Sequence, residues 1–269
     1  SPPGWYFFAL PMFNLFKSVN VTLYLTLIFI FIIFFLIIFF LYKHIKISKF
    51  HRIAFFIFFF GNAIAIGNFI RLQRVPELFS WMGFILFFFI VYYFKDKEID
   101  WRFFLISPVY SFMLISYQSV GILSSLLFLS LFFVKSLKEK ILIIISFLFS
   151  LLLSSFWLAP FLLRINESGF ETFQQAKWVW QFDDLNFYTE IFIFIVPIIL
   201  GCLAYFYLTN SENKKKDLLF FSPILAISLL FLLRLHPFLP VFKNIFPDPY
   251  LIFFIFFILF FFFKTNFKH

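Results

Sequence analysis

Long apolar runs, most of them close to the length of a bilayer crossing, follow one another along this chain with short polar stretches between them. Hydrocarbon offers no water to a free peptide group, so such runs become helices of about 20 residues. Nine runs fit, at residues 20–42, 53–70, 77–94, 103–117, 119–134, 141–163, 189–208, 218–235 and 250–264. The fourth and fifth are short and meet at Tyr117-Gln118-Ser119, which predicts a tilted or half-inserted pair. Residues 5–17 predict an additional interfacial helix, with Trp5 and Tyr6 at headgroup depth. The expected fold class is all-α, a polytopic transmembrane helical bundle forming a single domain over residues 1–269.

Charge divides the connections into two sets. Residues 43–52, 95–102, 135–140, 209–217 and 264–269 carry fifteen Lys and Arg against six Asp and Glu. Lys17 with residues 71–77, 164–190 and 234–248 carries seven of each. Nine crossings place these two sets on opposite faces, and the whole net charge of +9 then lies on one of them. Cytoplasmic loops accumulate Lys and Arg, so the first set is expected inside. The basic balance is thereby a topology signal, and a nucleic-acid partner is excluded. The expected location is the cell membrane, with an organellar inner membrane as the alternative.

Composition agrees. The chain is 63% hydrophobic and 13% charged, whereas soluble domains average about 45–50% and about 25%. Its 55 Phe residues read as drift that lipid tolerates, not as a ligand-binding box. Cys202 is the single cysteine, which excludes an intrachain disulfide and a thiolate metal site. His44, His51, His236 and His269 include no intramembrane pair, which argues against haem ligation. The opening "SPPGWYFFALPMF" has no initiator Met and does not look like a signal peptide, so a fragment or processed chain is expected.

Candidate chemistry gathers in the second set of loops. In "RLQRVPELFSW", Pro76 sits where a helix starts and Glu77 suits its first turn. Arg71 and Arg74 are then cations on the positive-poor side, and guanidinium forks match phosphate oxygens. Snorkelling interfacial arginines are the bland alternative. Arg164, after the kink expected at Pro160, is placed to join them. Arg234 and His236 open a Pro-rich loop that ends near Asp248. The segment 164–190 is long and acidic. Asp183 and Asp184, with Glu167, Glu171 or Glu190, are candidate oxygen ligands for a divalent metal ion, against the plain reading of a hydrophilic surface. Gly61, Ala63, Ala65 and Gly67 form a small-residue run, which predicts a helix-packing face.

The order of segments resembles the GT-C-type membrane glycosyltransferases, in particular their divergent archaeal and bacterial relatives. "SPPGWYFFAL" is similar to the segment after the first external loop of that family. "RLQRVPELFSWMGFILFFFIVYYF" resembles a Gly-Arg-Leu-Pro-Glu segment, with Gln73 in place of glycine. "LISYQSVGILSSLLFLSLFF" resembles a segment with a His pair, replaced here by Tyr117-Gln118. "SFWLAPFLL" and "PDPYLIFF" resemble two more, with Leu251 in place of an arginine. The resemblance implies a polyprenyl-phosphate-linked sugar donor used on the extracytoplasmic face. Arg71, Arg74, Glu77, Arg164, Arg234 and His236 are then the expected substrate-binding residues. The family's catalytic acid lies in the first external loop, expected before Ser1, so no catalytic residue is carried over. Two alternatives differ in kind: a structural subunit among other membrane subunits, and a transporter or flippase. The second expects a mid-span acid, and none of the runs holds one.

Overall fold

The structure is a computed structural model and describes residues 3–67, 69, 74–167, 187–239, 242 and 245–265. Among them there is helix and no strand. Helices α1 (Tyr6–Phe16) and α2 (Val19–Leu36) come first. The second continues through a π turn, Ile37–Leu41, and a 3-10 turn, Tyr42–Ile45. Next are α3 (Lys49–Gly61), the short α4 (Ala63–Ile66) and α5 (Val75–Lys95). A 3-10 turn, Trp101–Leu105, leads into α6 (Ile106–Ser116), and α7 (Gln118–Val134) and α8 (Leu137–Glu167) follow. The chain closes with α9 (Phe187–Asn210), α10 (Lys214–Leu232) and α11 (Pro247–Lys264).

Five helices are long and apolar enough to cross a membrane: Val19–Ile45, Val75–Lys95, Leu137–Pro160, Ile191–Asn210 and Pro247–Lys264. They coincide with five of the nine expected spans. The other four expected spans are shorter, split or charged at one end. Trp101–Ser116 and Gln118–Val134 are shorter apolar helices. The run 53–70 is broken at Asn62, whose extended backbone stops α3. Its Oδ1 accepts from the N–H of Ile64 (3.1 Å) and Ala65 (2.9 Å), the usual chemistry of an N-cap. Helix α10 opens on three lysines and Asp217.

The side chains sort as a lipid solvent demands. Helix α8 buries Ser146, Ser150 and Ser154 at helical spacing and exposes Leu148, Phe149, Leu152, Leu153 and Phe156. Ser150 and Ser154 donate to carbonyls one turn back, and Ser107 of α6 donates across to the Ser146 carbonyl (2.8 Å). Helix α2 likewise buries Thr22 and Thr26 while exposing Ile28, Phe29 and Ile32. Small hydroxyl residues inside and large apolar ones outside is the arrangement of helices packed in a membrane, where apolar contact alone drives no association.

Helices α5 and α11 form the centre, with 78% and 67% of their most apolar windows buried. They meet through interleaved rings: Phe84 with Phe256 (4.8 Å between centroids), Phe88 with Phe256 and Phe260 (both 4.9 Å), and Tyr92 with Phe260 (5.0 Å). Most of these contacts are edge-to-face, each contributing about 0.5–1.5 kcal/mol beyond area burial. Helices α6 and α7 pack on one side of α5, and α9 packs on α10 and α11.

Of the small-residue run of α3 and α4, Ala65 is buried in the core, but the two glycines make no close approach among the described residues. A methyl group placed at Gly61 or Gly67 would meet nothing, whereas one at Gly83 or Gly121 would press on Met113 or Leu114 at 2.6 Å. Close approach therefore falls between α5, α6 and α7.

Contacts between loops respect the division by charge. Lys264 at the end of α11 donates to the Ile45 carbonyl, and Lys95 at the end of α5 meets Asp217 in the first turn of α10. Lys135 donates to the Lys97 carbonyl, and Glu139 accepts from the Ile99 N–H. These residues belong to, or border, the lysine-rich set. At the opposite end Arg74 meets Asp248, and the Gly4 N–H donates to the Ile115 carbonyl (2.9 Å). The bundle thus has a lysine-rich end and a charge-balanced end.

Candidate functional site

At the charge-balanced end, Pro76 starts α5 as expected and brings Glu77 into its first turn. Glu77 is fully buried, and its Oε1 accepts from the Trp81 indole N–H at 3.2 Å, one turn along the helix. Arg74 precedes the helix. One of its guanidinium nitrogens lies 3.0 Å from Asp248 Oδ2 and 3.7 Å from Glu77 Oε2. Asp248 stands in the first turn of α11, between two prolines that suit a helix start. Burial opposes the Arg74 charge, but Asp248 and Glu77 outweigh it and its pKa moves up. Arg74 thus sits between Asp248, its nearer partner, and Glu77. It is already engaged by carboxylates.

The hairpin of α6 and α7 turns beneath this cluster at Tyr117, its extended residue. Ser80 of α5 donates to the carbonyls of Met113 (3.1 Å) and Tyr117 (3.3 Å), which fixes the hairpin tip against α5. Gly4 lies on Ser116 so closely that any side chain there would overlap it. Trp5 Nε1, Ser116 Oγ and Gln118 Nε2 are buried with no hydrogen-bond partner among the described residues. Buried donors without acceptors cost about 1–3 kcal/mol each, and native chains keep them where a ligand or water completes them.

His236 and Arg234 are at the same end but contact rings. The His236 imidazole lies 4.8 Å from the Phe231 ring and 5.0 Å from Tyr250, and Arg234 sits over Phe194 at 5.3 Å. Burial pushes the His236 pKa down to about 4, and its Nδ1 has no hydrogen-bond partner. Tyr250 follows Asp248 by two residues, so α11 links this aromatic corner to the Arg74 cluster. Arg71, Asp183 and Asp184 lie outside the described residues, as does the side chain of Arg164. Among the described residues no group of three His, Cys, Asp or Glu is placed to hold a metal ion.

A second polar cluster, built from the lysine-rich connections, occupies the opposite end. Lys95 Nζ lies 2.5 Å from Asp217 Oδ1, and both side chains are almost completely buried. Asp217 Oδ2 accepts from Tyr207 Oη (3.2 Å) and Ser211 Oγ (2.5 Å), and Tyr207 Oη is 3.2 Å from Tyr92 Oη. Lys95 also lies over the Tyr92 ring at 4.6 Å. Outside the pair, Lys216 reaches Asp96 at 2.9 Å. Burial acts to raise the Asp96 pKa, but the bond from Lys216 and the nearby Lys95 outweigh it and hold the value below the usual range.

No protein-family model matches the chain, and neither a curated protein nor a solved structure is significantly similar to it. The chemistry is therefore argued from its own residues. Among the described residues the charge-balanced end offers a part-exposed carboxylate, Asp248, clamped by Arg74, and the buried donors of Trp5, Ser116 and Gln118. The lysine-rich end offers a saturated carboxylate among ammonium groups. The only sequence signal for the second cluster was that Lys95 and Asp217 each directly abut an apolar run.

Proposed function

We propose that the protein is a membrane glycosyltransferase-like protein of the GT-C type, using a polyprenyl-phosphate-linked sugar donor at its charge-balanced end. In this reading the bundle crosses the cell membrane nine times and that end faces away from the cytoplasm. The observation that supports it is convergence. Four segments that carry the resemblance are far apart in sequence, yet they meet at one end. Gly4 binds the Ile115 carbonyl, Ser80 binds the Tyr117 carbonyl, and Arg74 binds Asp248 across 174 positions. A transferase at a membrane surface needs a carboxylate that serves as base or charge stabiliser, a cation near the phosphate, and donors for sugar hydroxyls. Asp248 takes the first role here, with Arg74 positioning it. Trp5, Ser116 and Gln118 are the candidate donors.

The test is binding of a fluorescent polyprenyl phosphate sugar to the protein in lipid nanodiscs, followed by release of the labelled sugar. Asp248→Asn is expected to keep binding and lose transfer by at least about 100-fold, within the range of a lost general base. Gln118→Leu is expected to weaken binding. The reading is sunk if the wild type neither binds nor consumes any polyprenyl-phosphate sugar supplied.

A further inference from the structure

The two ends of the bundle differ in how their charges are spent. At the lysine-rich end a cavity of about 490 Å³ is lined by three lysines, Lys46, Lys95 and Lys264, and three acids, Asp96, Glu212 and Asp217, with Asn210 and Ser211 among its neutral residues. Its acids are largely committed. Asp217 is bound by Lys95, Tyr207 and Ser211, and Asp96 by Lys216 and Lys95. Glu212 is exposed. The cations are not equally committed. Lys264 is half-buried, donates to the Ile45 carbonyl, and among the described residues has no carboxylate within ion-pair reach. Lys46 is held in a left-handed turn (φ 61°) immediately after the 3-10 turn that supplies that carbonyl, and it too has no ion pair among the described residues. Lys214 and Lys215 stand at the adjoining rim.

We infer that this cavity binds a phosphate group, through Lys46 and Lys264, with the second N–H of the Asn210 amide as a neutral donor. Solvated lysines of a cytoplasmic loop extend into water. Lys264 instead bends into a recess already occupied by another ammonium, which is stable when an anion shares the space. The phosphate belongs either to the headgroup of an anionic phospholipid in the adjacent leaflet or to a soluble phosphate ester. Both present the same oxygens to the same side chains. The site lies at the end opposite the proposed transferase centre and stands independently of it.

The experiment uses the full chain purified in a neutral detergent. Retention of phosphatidylglycerol and of phosphatidylcholine is counted by native mass spectrometry, with and without millimolar inorganic phosphate. Phosphatidylglycerol is expected to be retained in preference, and Lys46→Gln and Lys264→Gln each to weaken it about fivefold, the usual effect of one cation near an anionic lipid. Lys43→Gln and Lys49→Gln, exposed and outside the cavity, are expected to change it less than twofold. Lys46 is itself exposed, so its variant folds even if Lys264→Gln does not. Displacement of the lipid by inorganic phosphate identifies the phosphate alone as the recognised group and admits a soluble ester. Failure of displacement, with both lysines still required, assigns the site to lipid. Equal losses from the cavity and control lysines, or no preference for phosphatidylglycerol over phosphatidylcholine together with no binding of inorganic phosphate, overturn the inference.

Discussion

Lys95 and Asp217, 122 positions apart in sequence, face each other at 2.5 Å where α5 ends and α10 begins. The aspartate is saturated by Tyr207 and Ser211 as well, so the pair is a network and not an isolated ion pair. Removing one member of a buried pair leaves an uncompensated charge and costs about 3–5 kcal/mol, whereas replacing both by apolar residues is often close to neutral. Lys95→Met and Asp217→Leu are each expected to lower the midpoint of thermal unfolding in detergent sharply. The double variant is expected to recover most of that loss. Additive losses would show that the two side chains stabilise the bundle separately.

The pH response of the opposite end follows from His236. Its pKa falls from 6.5 to about 4 because the imidazole is buried among rings. Above pH about 6.5 both folded and unfolded chains hold it neutral, and it contributes no pH dependence. As the pH falls through the window from 6.5 to 4, the unfolded chain takes up the proton and the folded chain does not. Stability is therefore lost on acidification, at up to about 1.4 kcal/mol per pH unit within that window. His236→Phe removes this slope. Melting curves of the two proteins between pH 7 and 4.5 check it, since their difference cancels the common titration of carboxylates. Parallel curves would place His236 in water.

Much of the fold is legible in the pattern of apolar runs, because lipid forces each run to be a helix. The turn at Tyr117 was visible since two short runs abut there with polar residues between them. The break at Asn62 was not. One asparagine inside an apolar run reads as a tolerated polar residue, and only the cap it gives to Ile64 and Ala65 reveals its role. Gly61 and Gly67 looked like a packing face because spacing cannot tell which side of a helix meets a neighbour. Arg74 and Glu77 were visible as charges near a proline. Asp248 is legible as a candidate for chemistry in the Pro-rich loop, but not as the partner of Arg74, because a separation of 174 residues carries no local signal. Lys95 and Asp217 are hidden for the same reason, since a charge count along the chain does not pair its members.

Glycines that touch a neighbouring helix should be far less replaceable than those that do not. A Cβ at Gly121 meets the Leu114 side chain at 2.6 Å and its backbone Cα at 3.3 Å, so the hairpin must open to admit it. Gly121→Val is expected to destabilise by about 1–3 kcal/mol, the usual cost of overpacking. At Gly201 a Cβ meets nothing within 4 Å, and Gly201→Ala is expected to be neutral or slightly stabilising, since alanine favours the helix by up to about 1 kcal/mol. Yield and melting midpoint of the two variants measure this. An equal loss at both positions would mean that Gly201 carries a contact beyond this chain.

The division of the bundle into two ends makes a labelling prediction. Cys202 is exposed on α9, a helix apolar enough to cross a membrane, so it faces hydrocarbon. In intact cells it should resist a charged, membrane-impermeant thiol reagent and react only after solubilisation. With Cys202 replaced by Ser, a cysteine at Glu212 in the lysine-rich end and one at Phe238 in the opposite end are both on exposed positions. Lysine-rich loops stay in the cytoplasm, so Phe238→Cys should react from outside and Glu212→Cys only after permeabilisation. The reverse result would keep the architecture and invert it in the membrane, moving the Arg74–Asp248 cluster to the cytoplasm and removing the proposed external transfer. Reaction of both from the same side would mean that the two ends do not lie across a bilayer at all.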